Sequence, residues 1–303
     1  MIARVLIVMS IVLLACRSNR APQEAVTTTN GPLSMIVSEE LFTTIDTVAK
    51  EFARIYPGIR PTVGAAPTRE VIAHLLNDSV RTIVVDRPFN DEERRVVEGS
   101  GLVVVGTQLA WDALVIVVHA ENRFASITPA AVGAIVSGSV SRWSQVPGSS
   151  RSDAIEFVST GRNSGLHEQI MRRVSGGRPL KTFAAGSTQA ELVQYVGRSP
   201  RAMALVSLAA VRERPATARI LPVETVVDSV SGRRELVSPS QLSVYEGRYP
   251  FRTEIVAYNA ERRIGPGAGF AAFALTTPGQ KIVQNSGLVP AVIPNRVIQL
   301  TAE

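Results

Sequence analysis

The stretch Thr82–Val105, TIVVDRPFNDEERRVVEGSGLVVV, contains the pattern that decides the fold. It begins with the β-branched run Thr82–Val85, which is typical of a short buried strand. Asn90 and Glu93 follow with the spacing of a capping box, so we expect a helix to begin at Asn90. The apolar run Leu102–Val105 then predicts another strand. The stretch therefore predicts a strand, a helix and a strand in succession.

The same alternation extends along the chain in both directions. Apolar residues recur every three or four positions from Leu41 to Ile55, which predicts a helix that Pro57-Gly58 stops. The other predicted elements are strands at Leu33–Val37, Leu114–Val118 and Ile155–Val158, and helices that start near Thr68, at Thr128-Pro129 and at Ser164. Strands that alternate with helices favour parallel sheets flanked by helices, so the predicted fold class is α/β.

The amino terminus has the pattern of an export signal. The apolar run Val5–Leu14 follows a positive flank and is too short for a membrane span, which needs about 20 residues. Ala15 is a small residue at a suitable cleavage position. We therefore expect a lipoprotein signal peptide over residues 1–15. The polar segment over residues 16–32, rich in Thr, Asn and Ala, is predicted to be a flexible tether.

Cys16 is the only cysteine in the chain, so no intrachain disulfide is expected. The run Leu13–Cys16 resembles the bacterial lipobox, in which the cysteine carries lipid and becomes the first residue of the mature protein. This resemblance makes Cys16 the predicted lipidation site and the attachment to the lipid bilayer. The alternative is a buried thiol in an uncleaved anchor.

Composition and motifs exclude several functions. The chain has 303 residues, enough for about two structural units, and its net charge of +6 suits a small anionic ligand. Basic residues are scattered and only 5% of residues are aromatic, so no nucleic-acid partner is expected. His74, His119 and His167 lie far apart, which argues against a metal site. Neither a hydrolase elbow nor a phosphate loop is present, so we predict no catalytic residues, no cofactor and no enzyme activity.

An ordered series of segments resembles the phosphate-binding proteins of ABC transporters. The segments are IVVDRPFNDEERRVV (83–97), AWDALVIVVHAEN (110–122), ITPAAVGAIVSGSVSRW (127–143), VSTGRNSGLHEQI (158–170), AMALVSLAAV (202–211), YPFRTEIVAYN (249–259) and GFAAFALTTPGQKIVQNSGLVP (269–290). From Leu33 to Leu300 the chain resembles the PstS-type branch of the type II periplasmic binding proteins, in a lipoprotein form.

This resemblance implies two α/β lobes, each with a mostly parallel sheet flanked by helices, and a ligand in the cleft between them. It implies two crossover strands, which we place near Trp111–Leu114 and Tyr249–Ile255. Lobe 1 is then expected to comprise residues 33–112 plus 250–303, and lobe 2 residues 113–249.

Physical reasoning independently favours an anion site in such a cleft. A strand leads into a glycine-containing loop, and Ser164 is placed to cap a helix whose first N–H groups would face an anion. Arg162 stands in that loop, and a guanidinium can hold two oxygens of a tetrahedral anion. The family pattern of Arg followed by Ser-Gly-Thr gives the anion-binding role to Arg162, Ser164 and Gly165, with Leu166 in place of the threonine. The alternative is an ordinary capped helix with a surface arginine.

The resemblance implies three further phosphate contacts. Asp86 would accept a hydrogen bond from the proton of bound phosphate, and Thr68 and Ser38 would donate from their hydroxyl groups. Each has a structural alternative, since Asp86 ends a strand and the two hydroxyl residues suit helix caps. Glu39 and Glu40, beside Ser38, would stabilise a helix N-terminus but would also repel an incoming anion.

The predicted function is that of an extracytoplasmic solute-binding lipoprotein that captures phosphate in the interlobe cleft and delivers it to an ABC importer. It is expected to be exported as a monomer and to face the periplasm or the cell exterior. The partners are phosphate or a similar oxyanion, the ABC transporter permease and, through Cys16, the bilayer. The alternative is a periplasmic sensor or binding module for phosphate or another oxyanion (sulfate, molybdate) without transport.

Overall fold

The computed structural model describes residues 25–228, 230 and 232–292. The predicted signal peptide, the lipid site at Cys16 and the first part of the predicted tether lie outside the described residues. The end of that tether differs from the prediction, because Gly31 and Pro32 already belong to the first strand. They do so because they pair in parallel with Ile59 and Arg60.

Twelve strands and nine α-helices are assigned within the described residues. The strands are β1 Gly31–Ser38, β2 Ile59–Ala66, β3 Thr82–Val85, β4 Val105–His119, β5 Glu156–Thr160, β6 Ala184–Gly186, β7 Ala202–Ser207, β8 Ala218–Leu221, β9 Val223–Asp228, β10 Arg233–Val237, β11 Arg252–Asn259 and β12 Val289–Pro290. The helices are α1 Phe42–Ile55, α2 Thr68–Leu76, α3 Asp91–Ser100, α4 Pro129–Val136, α5 Gly165–Gln169, α6 Gln189–Arg198, α7 Gln241–Tyr245, α8 Pro266–Ala274 and α9 Thr277–Asn285. A π-helical turn, Ile170–Val174, continues α5.

The main sheet has the strand order β2-β1-β3-β11-β4-β7-β5-β6. β1 is parallel to β2 and β3, and β5 is parallel to β6 and β7, so each end of the sheet is parallel. The crossover strands β4 and β11 join these ends through antiparallel pairing. The predicted α/β fold, with two parallel sheet ends joined by two crossover strands, is thus confirmed. We refer to the β1–β3 end as lobe 1 and to the β5–β7 end as lobe 2.

The lobes are connected where β4 changes its pairing partner. Ala113 pairs with Arg252 of β11, whereas the next residue, Leu114, pairs with Ser207 of β7. The returning chain lies alongside, because the Leu114 N–H donates to the Phe251 carbonyl oxygen at 2.9 Å. These positions match the predicted crossings. The lobe boundaries between residues 112 and 113 and between residues 249 and 250 stay predictions.

Each lobe has its own buried core, and β3 shows how the sequence builds it. Val84 packs into the core that includes α1 and α8, whereas Ile83 and Val85 pack into the core on the α2 face. A strand buried on both faces needs apolar residues at every position, which explains the continuous β-branched run. A separate core in lobe 2 surrounds the second half of β4 and the fully buried Trp143.

The predicted elements are largely confirmed, and differences occur at residues 102–105, at β2 and after Ser164. The capping box of α3 is present, since the Asn90 side chain accepts from the Glu93 N–H and the Glu93 carboxylate accepts from the Asn90 N–H. The strand predicted at Leu102–Val105 is wrong. Residues 102–104 lie outside any strand, and the long strand β4 begins only at Val105. Strand β2 was not predicted, and the helix after Ser164 changes to a π-helical turn at Ile170. Among the described residues, no helix has the length and apolar character needed to cross a bilayer.

Candidate ligand-binding cleft

Three predicted contact residues meet at one edge of the lobe 1 sheet. Ser38 ends β1, Asp86 follows β3 directly, and Thr68 begins α2 just after β2. Because these three strands are neighbours and parallel, their carboxyl ends lie together. The undetected strand β2 therefore explains why Thr68 reaches the other two residues. All three side chains are buried.

The three side chains form one hydrogen-bonded group. The Thr68 hydroxyl donates to Asp86 Oδ1 at 2.9 Å, and Ser38 Oγ lies 2.9 Å from Thr68 Oγ1 and 3.5 Å from Asp86 Oδ1. Burial raises the pKa of the Asp86 carboxyl, against the lowering effects of the Thr68 hydrogen bond and the Arg87 charge. A carboxylate with its hydroxyl donors is therefore held out of water at this edge.

Lobe 2 brings the start of α5 to the opposite side of the cleft. Ser164 caps this helix, because its Oγ accepts from the His167 N–H at 3.2 Å. The Thr160 hydroxyl at the end of β5 lies 2.5 Å from Ser164 Oγ and holds the cap in place. Gly165, the first residue of α5, is buried.

The two lobes touch at Gly165 and Asp86. A Cβ atom on residue 165 would lie only 2.1 Å from Asp86 Oδ1, so the contact requires glycine. Gln169 adds a hydrogen bond across the cleft, because its Nε2 donates to the Asp86 backbone oxygen at 2.8 Å. We call Ser38, Thr68, Asp86, Ser164 and Gly165 the cleft group.

The remaining predicted contact, Arg162, is not brought into the cleft group. Its side chain is exposed, and within the described residues it forms no hydrogen bond or ion pair. Its charge acts on His167, whose pKa is lowered mainly by burial and further by Arg162. Ser164 is contacted by Thr160 instead. Arg162 does not reach the cleft, because the loop after β5 turns this residue towards solvent. The bidentate contact of Arg162 with an anion stays a prediction, and no contact of Arg162 with the cleft group supports it.

A buried ionic cluster that the sequence did not reveal closes one side of the cleft. Arg87, only 3% exposed, donates through Nη1 and Nη2 to the two Glu93 oxygens, both at 2.8 Å. Across the cleft, Arg87 Nη2 forms an ion pair with Glu168 Oε2 at 2.7 Å. Asn90 Nδ2 donates to Glu168 Oε1 at 3.1 Å. Arg69 Nε of lobe 1 also lies 3.7 Å from Glu168 Oε2, so Glu168 of lobe 2 is held by three side chains of lobe 1.

A cavity of about 340 Å³ extends from the cleft group between the lobes. Its polar lining includes the carboxylates of Glu40, Asp86 and Asp112 together with amide and hydroxyl groups from Gln169, Gln189, Ser207 and Thr253. No lysine, arginine or histidine lines it in the part of the chain that the structure describes. All the charged side chains that line the cavity among the described residues are therefore acidic.

Two of these carboxyls titrate far from their ordinary range. Glu40 has an exposed side chain, but partial loss of hydration in the cavity raises its pKa to about 7, and the nearby charges of Asp86, Glu39 and Asp112 add to the effect. Burial raises the pKa of Asp112 to about 6, although it accepts hydrogen bonds from the Ala113 N–H at 2.7 Å and the Leu208 N–H at 3.2 Å. Both groups therefore carry only part of their charge near neutral pH.

The sequence named three lobe 1 residues that the structure brings together, but several residues that line the cavity were not predicted. Ser207 ends β7, and Gln189 begins α6 shortly after β6, so both lie at strand ends, as do Ser38 and Asp86, which the family resemblance had named. Their position at strand ends could have identified them. Asp112 lies within a crossover strand, where only the three-dimensional fold shows that it faces the cavity.

The fold and the cleft define a two-lobed binding protein. A family model described as a PBP superfamily domain matches residues 22–277, and the chain belongs to this superfamily.

Individual relatives agree with this class. The chain is 24% identical over 276 residues to the protein SphX of Synechococcus elongatus, covering 88% of this chain and 78% of SphX. It is 20% identical to the phosphate-binding protein PstS of Staphylococcus saprophyticus, covering 76% of this chain and 70% of PstS. A similar solved structure is a putative phosphate ABC transporter substrate-binding protein with bound phosphate from Clostridium perfringens. Its TM-score is 0.68 at 16% identity, with 86% of this chain and 100% of that chain covered.

Proposed function

We propose that the protein captures phosphate, free or as part of a small compound, between its lobes and delivers it to an ABC importer. The observation that carries the proposal is the contact of Asp86 with Gly165 across the cleft, where Asp86 also accepts a hydrogen bond from Thr68, which in turn contacts Ser38. Strand ends from one lobe and a helix start from the other meet there, which is the geometry that α/β proteins use for anions. The phosphate-binding relatives support the same ligand.

Each member of the cleft group has a chemical role in this proposal. The Ser38 hydroxyl and the Gly165 N–H would donate to phosphate oxygens. The Thr68 hydroxyl has one proton, so it would turn from Asp86 Oδ1 to a phosphate oxygen when the ligand binds. The Asp86 carboxylate accepts the hydrogen bond of a phosphate proton, because an ionised carboxylate is an acceptor only. Sulfate carries no proton near neutral pH, so it would face the Asp86 carboxylate with lone pairs alone. The site thereby selects phosphate over sulfate.

The contacts between the lobes indicate how the protein would open and close around its ligand. Glu168 is held by Arg87 and Asn90, and Gln169 is bonded to the Asp86 backbone, so the lobes are closed. We propose that they open by a hinge at the crossover strands to admit the ligand and close again around it. The closed form would be the one that the importer permease recognises.

The proposal places the protein outside the cytoplasm as a monomer. Cys16 would carry the lipid that holds it at the bilayer, and the segment after it would act as the tether. Its role would be binding and delivery, without chemistry on the ligand.

Competition calorimetry with phosphate and sulfate tests the proposal. Wild-type protein should bind phosphate much more tightly than sulfate. Thr68→Val should weaken phosphate binding about 10- to 150-fold, because a hydrogen bond to a charged group contributes about 1.5–3 kcal/mol. Thr47→Val, on the exposed face of α1, is the matched control and should keep the wild-type affinity. Equal affinity for the two anions in wild-type protein would reject the phosphate assignment.

A further inference from the structure

The cavity beside the cleft group has the wrong charge for a bare anion. Glu40, Asp86 and Asp112 all line it, and no basic side chain does so among the described residues. Arg162, the one cation that the sequence placed near the anion, is exposed. Like charges close together in a partly buried site repel strongly. Arg87, whose charge acts on Asp86, is already paired with Glu93 and Glu168. A phosphate ion beside these three carboxyl groups, which keep part of their negative charge near neutral pH, therefore meets no unpaired basic side chain in the cavity lining of the described residues.

We infer that the ligand brings this positive charge itself, as a small phosphate monoester or phosphonate that also carries an ammonium group. Its phosphate end would bind the cleft group, and its ammonium end would bind Glu40 and Asp112 in the cavity. This inference rests on the proposed function, because it names the class of phosphate compound that the same cleft takes.

The size of the cavity fits an organic ligand. Its volume of about 340 Å³ lies within the range of roughly 300–1,000 Å³ that is typical of sites for small organic molecules. Apolar walls come from Leu114, Leu166 and Leu288, which suit a short carbon linker. Leu166 stands where the related pattern has threonine, so a hydroxyl donor is replaced by a buried apolar contact.

A buried amide oxygen supplies an independent sign of a donor ligand. Gln169 is 6% exposed and lines the cavity, and its Nε2 is engaged by the Asp86 backbone oxygen. Its Oε1 is buried and accepts no hydrogen bond within the described residues. Buried polar atoms of this kind normally have a partner. An ammonium group, which has only donors, is such a partner.

The carboxylates differ in how much acceptor capacity they have left. Asp112 already accepts from the Ala113 and Leu208 N–H groups and from the Ser207 hydroxyl, out of about four acceptor sites on a carboxylate. Glu40 is accessible to solvent at the cavity. Glu40 is therefore the main ammonium ligand, with Asp112 and the Gln169 Oε1 as supporting acceptors.

Calorimetry of purified protein with matched probes at pH 8 tests this inference. Phosphoethanolamine carries both groups, ethyl phosphate lacks the ammonium, and inorganic phosphate lacks the whole tail. Wild-type protein should bind phosphoethanolamine at least about tenfold more tightly than ethyl phosphate, since charge-assisted hydrogen bonds are the strong ones. Equal affinity for phosphoethanolamine and ethyl phosphate would overturn the inference and leave the proposed function intact. No binding of phosphate or either monoester would overturn both.

Variants of neighbouring glutamates separate a direct role from general electrostatics. Glu40→Gln should weaken phosphoethanolamine binding at least about tenfold and at the same time strengthen ethyl phosphate binding, because one negative charge is removed. Glu39→Gln removes the same charge from the adjacent residue, which does not line the cavity. It should leave the preference for phosphoethanolamine as in wild type. A Glu40→Gln variant that keeps this preference would also overturn the inference.

Discussion

Replacing Gly165 by alanine tests whether the lobes must touch for the ligand to bind. The new Cβ would lie 2.1 Å from Oδ1 and 2.2 Å from Oδ2 of Asp86, distances that real Cβ atoms essentially never show. Asp86 is held by the Thr68 hydroxyl, so it would have to leave that hydrogen bond or the lobes would have to separate. Residue 165 begins α5, where alanine is at least as favourable as glycine, so the helix itself is preserved.

The size of the effect follows from this overlap. Extra methyl groups in a well-packed site cost about 1–3 kcal/mol, which corresponds to a loss of about 5- to 150-fold in phosphate affinity. Calorimetry measures the affinity, and small-angle scattering should show a larger radius of gyration for the variant with phosphate than for wild type.

A neighbouring glycine provides the matched control for Gly165→Ala. A Cβ on Gly161, in the loop that precedes α5, would have no atom within 4 Å. Gly161→Ala should therefore bind phosphate with wild-type affinity. If Gly165→Ala also binds phosphate and closes as wild type does, the contact between Asp86 and residue 165 plays no part in binding.

Three further predictions concern the Arg87–Glu168 ion pair between the lobes, the pH dependence of stability and the lipid anchor. Glu168→Gln should enlarge the radius of gyration of the ligand-free protein, because Arg87 loses its ion-pair partner across the cleft. Glu70→Gln, on the exposed surface of α2, should not. Equal scattering of both variants would contradict a role of the Arg87–Glu168 pair in holding the lobes closed. The pKa of Asp112 is raised from 3.8 to about 6, so its contribution to stability is complete below pH 4 and is lost as the pH rises through about 6. At about 1.4 kcal/mol for each pH unit, this lowers the free energy of unfolding by up to about 3 kcal/mol between pH 4 and pH 7. Denaturant titrations should show a smaller fall for Asp112→Asn than for wild type. Equal falls in the two proteins would refute the raised pKa of Asp112. Cys16→Ala should abolish incorporation of labelled fatty acid, whereas equal labelling of variant and wild type would reject the lipid anchor.

Much of the fold follows from local sequence patterns. The β-branched run of β3, the capping box of α3 and the apolar stripe of α1 each depend on neighbouring residues alone, and each is present in the structure. Strand β2 was missed because Ile59–Ala66, IRPTVGAA, contains proline, glycine and alanine and shows no clear alternation. The strand exists because β1 supplies its hydrogen-bonding partner, which is a tertiary effect.

The same distinction applies to the site. Ser38, Thr68 and Asp86 were predicted from the family resemblance, and the structure brings them together because the parallel strands β1, β2 and β3 place their carboxyl ends side by side. Arg162 was assigned from its motif, but the direction of its side chain depends on how the loop turns. The acidic cavity was unpredictable for a different reason. Glu40 follows β1 and Asp112 lies within the crossover strand β4, so only the folded chain brings these distant residues to one cavity.

The central claim is that an oxyanion binds between the lobes at the cleft group. A crystal structure of the protein with saturating phosphate tests it most directly. Phosphate oxygens should lie about 2.7–3.2 Å from Ser38 Oγ, Thr68 Oγ1 and the Gly165 nitrogen, with Asp86 on a protonated oxygen. Phosphate bound at Arg162 on the surface, or an interlobe cleft with no phosphate density, would contradict the account.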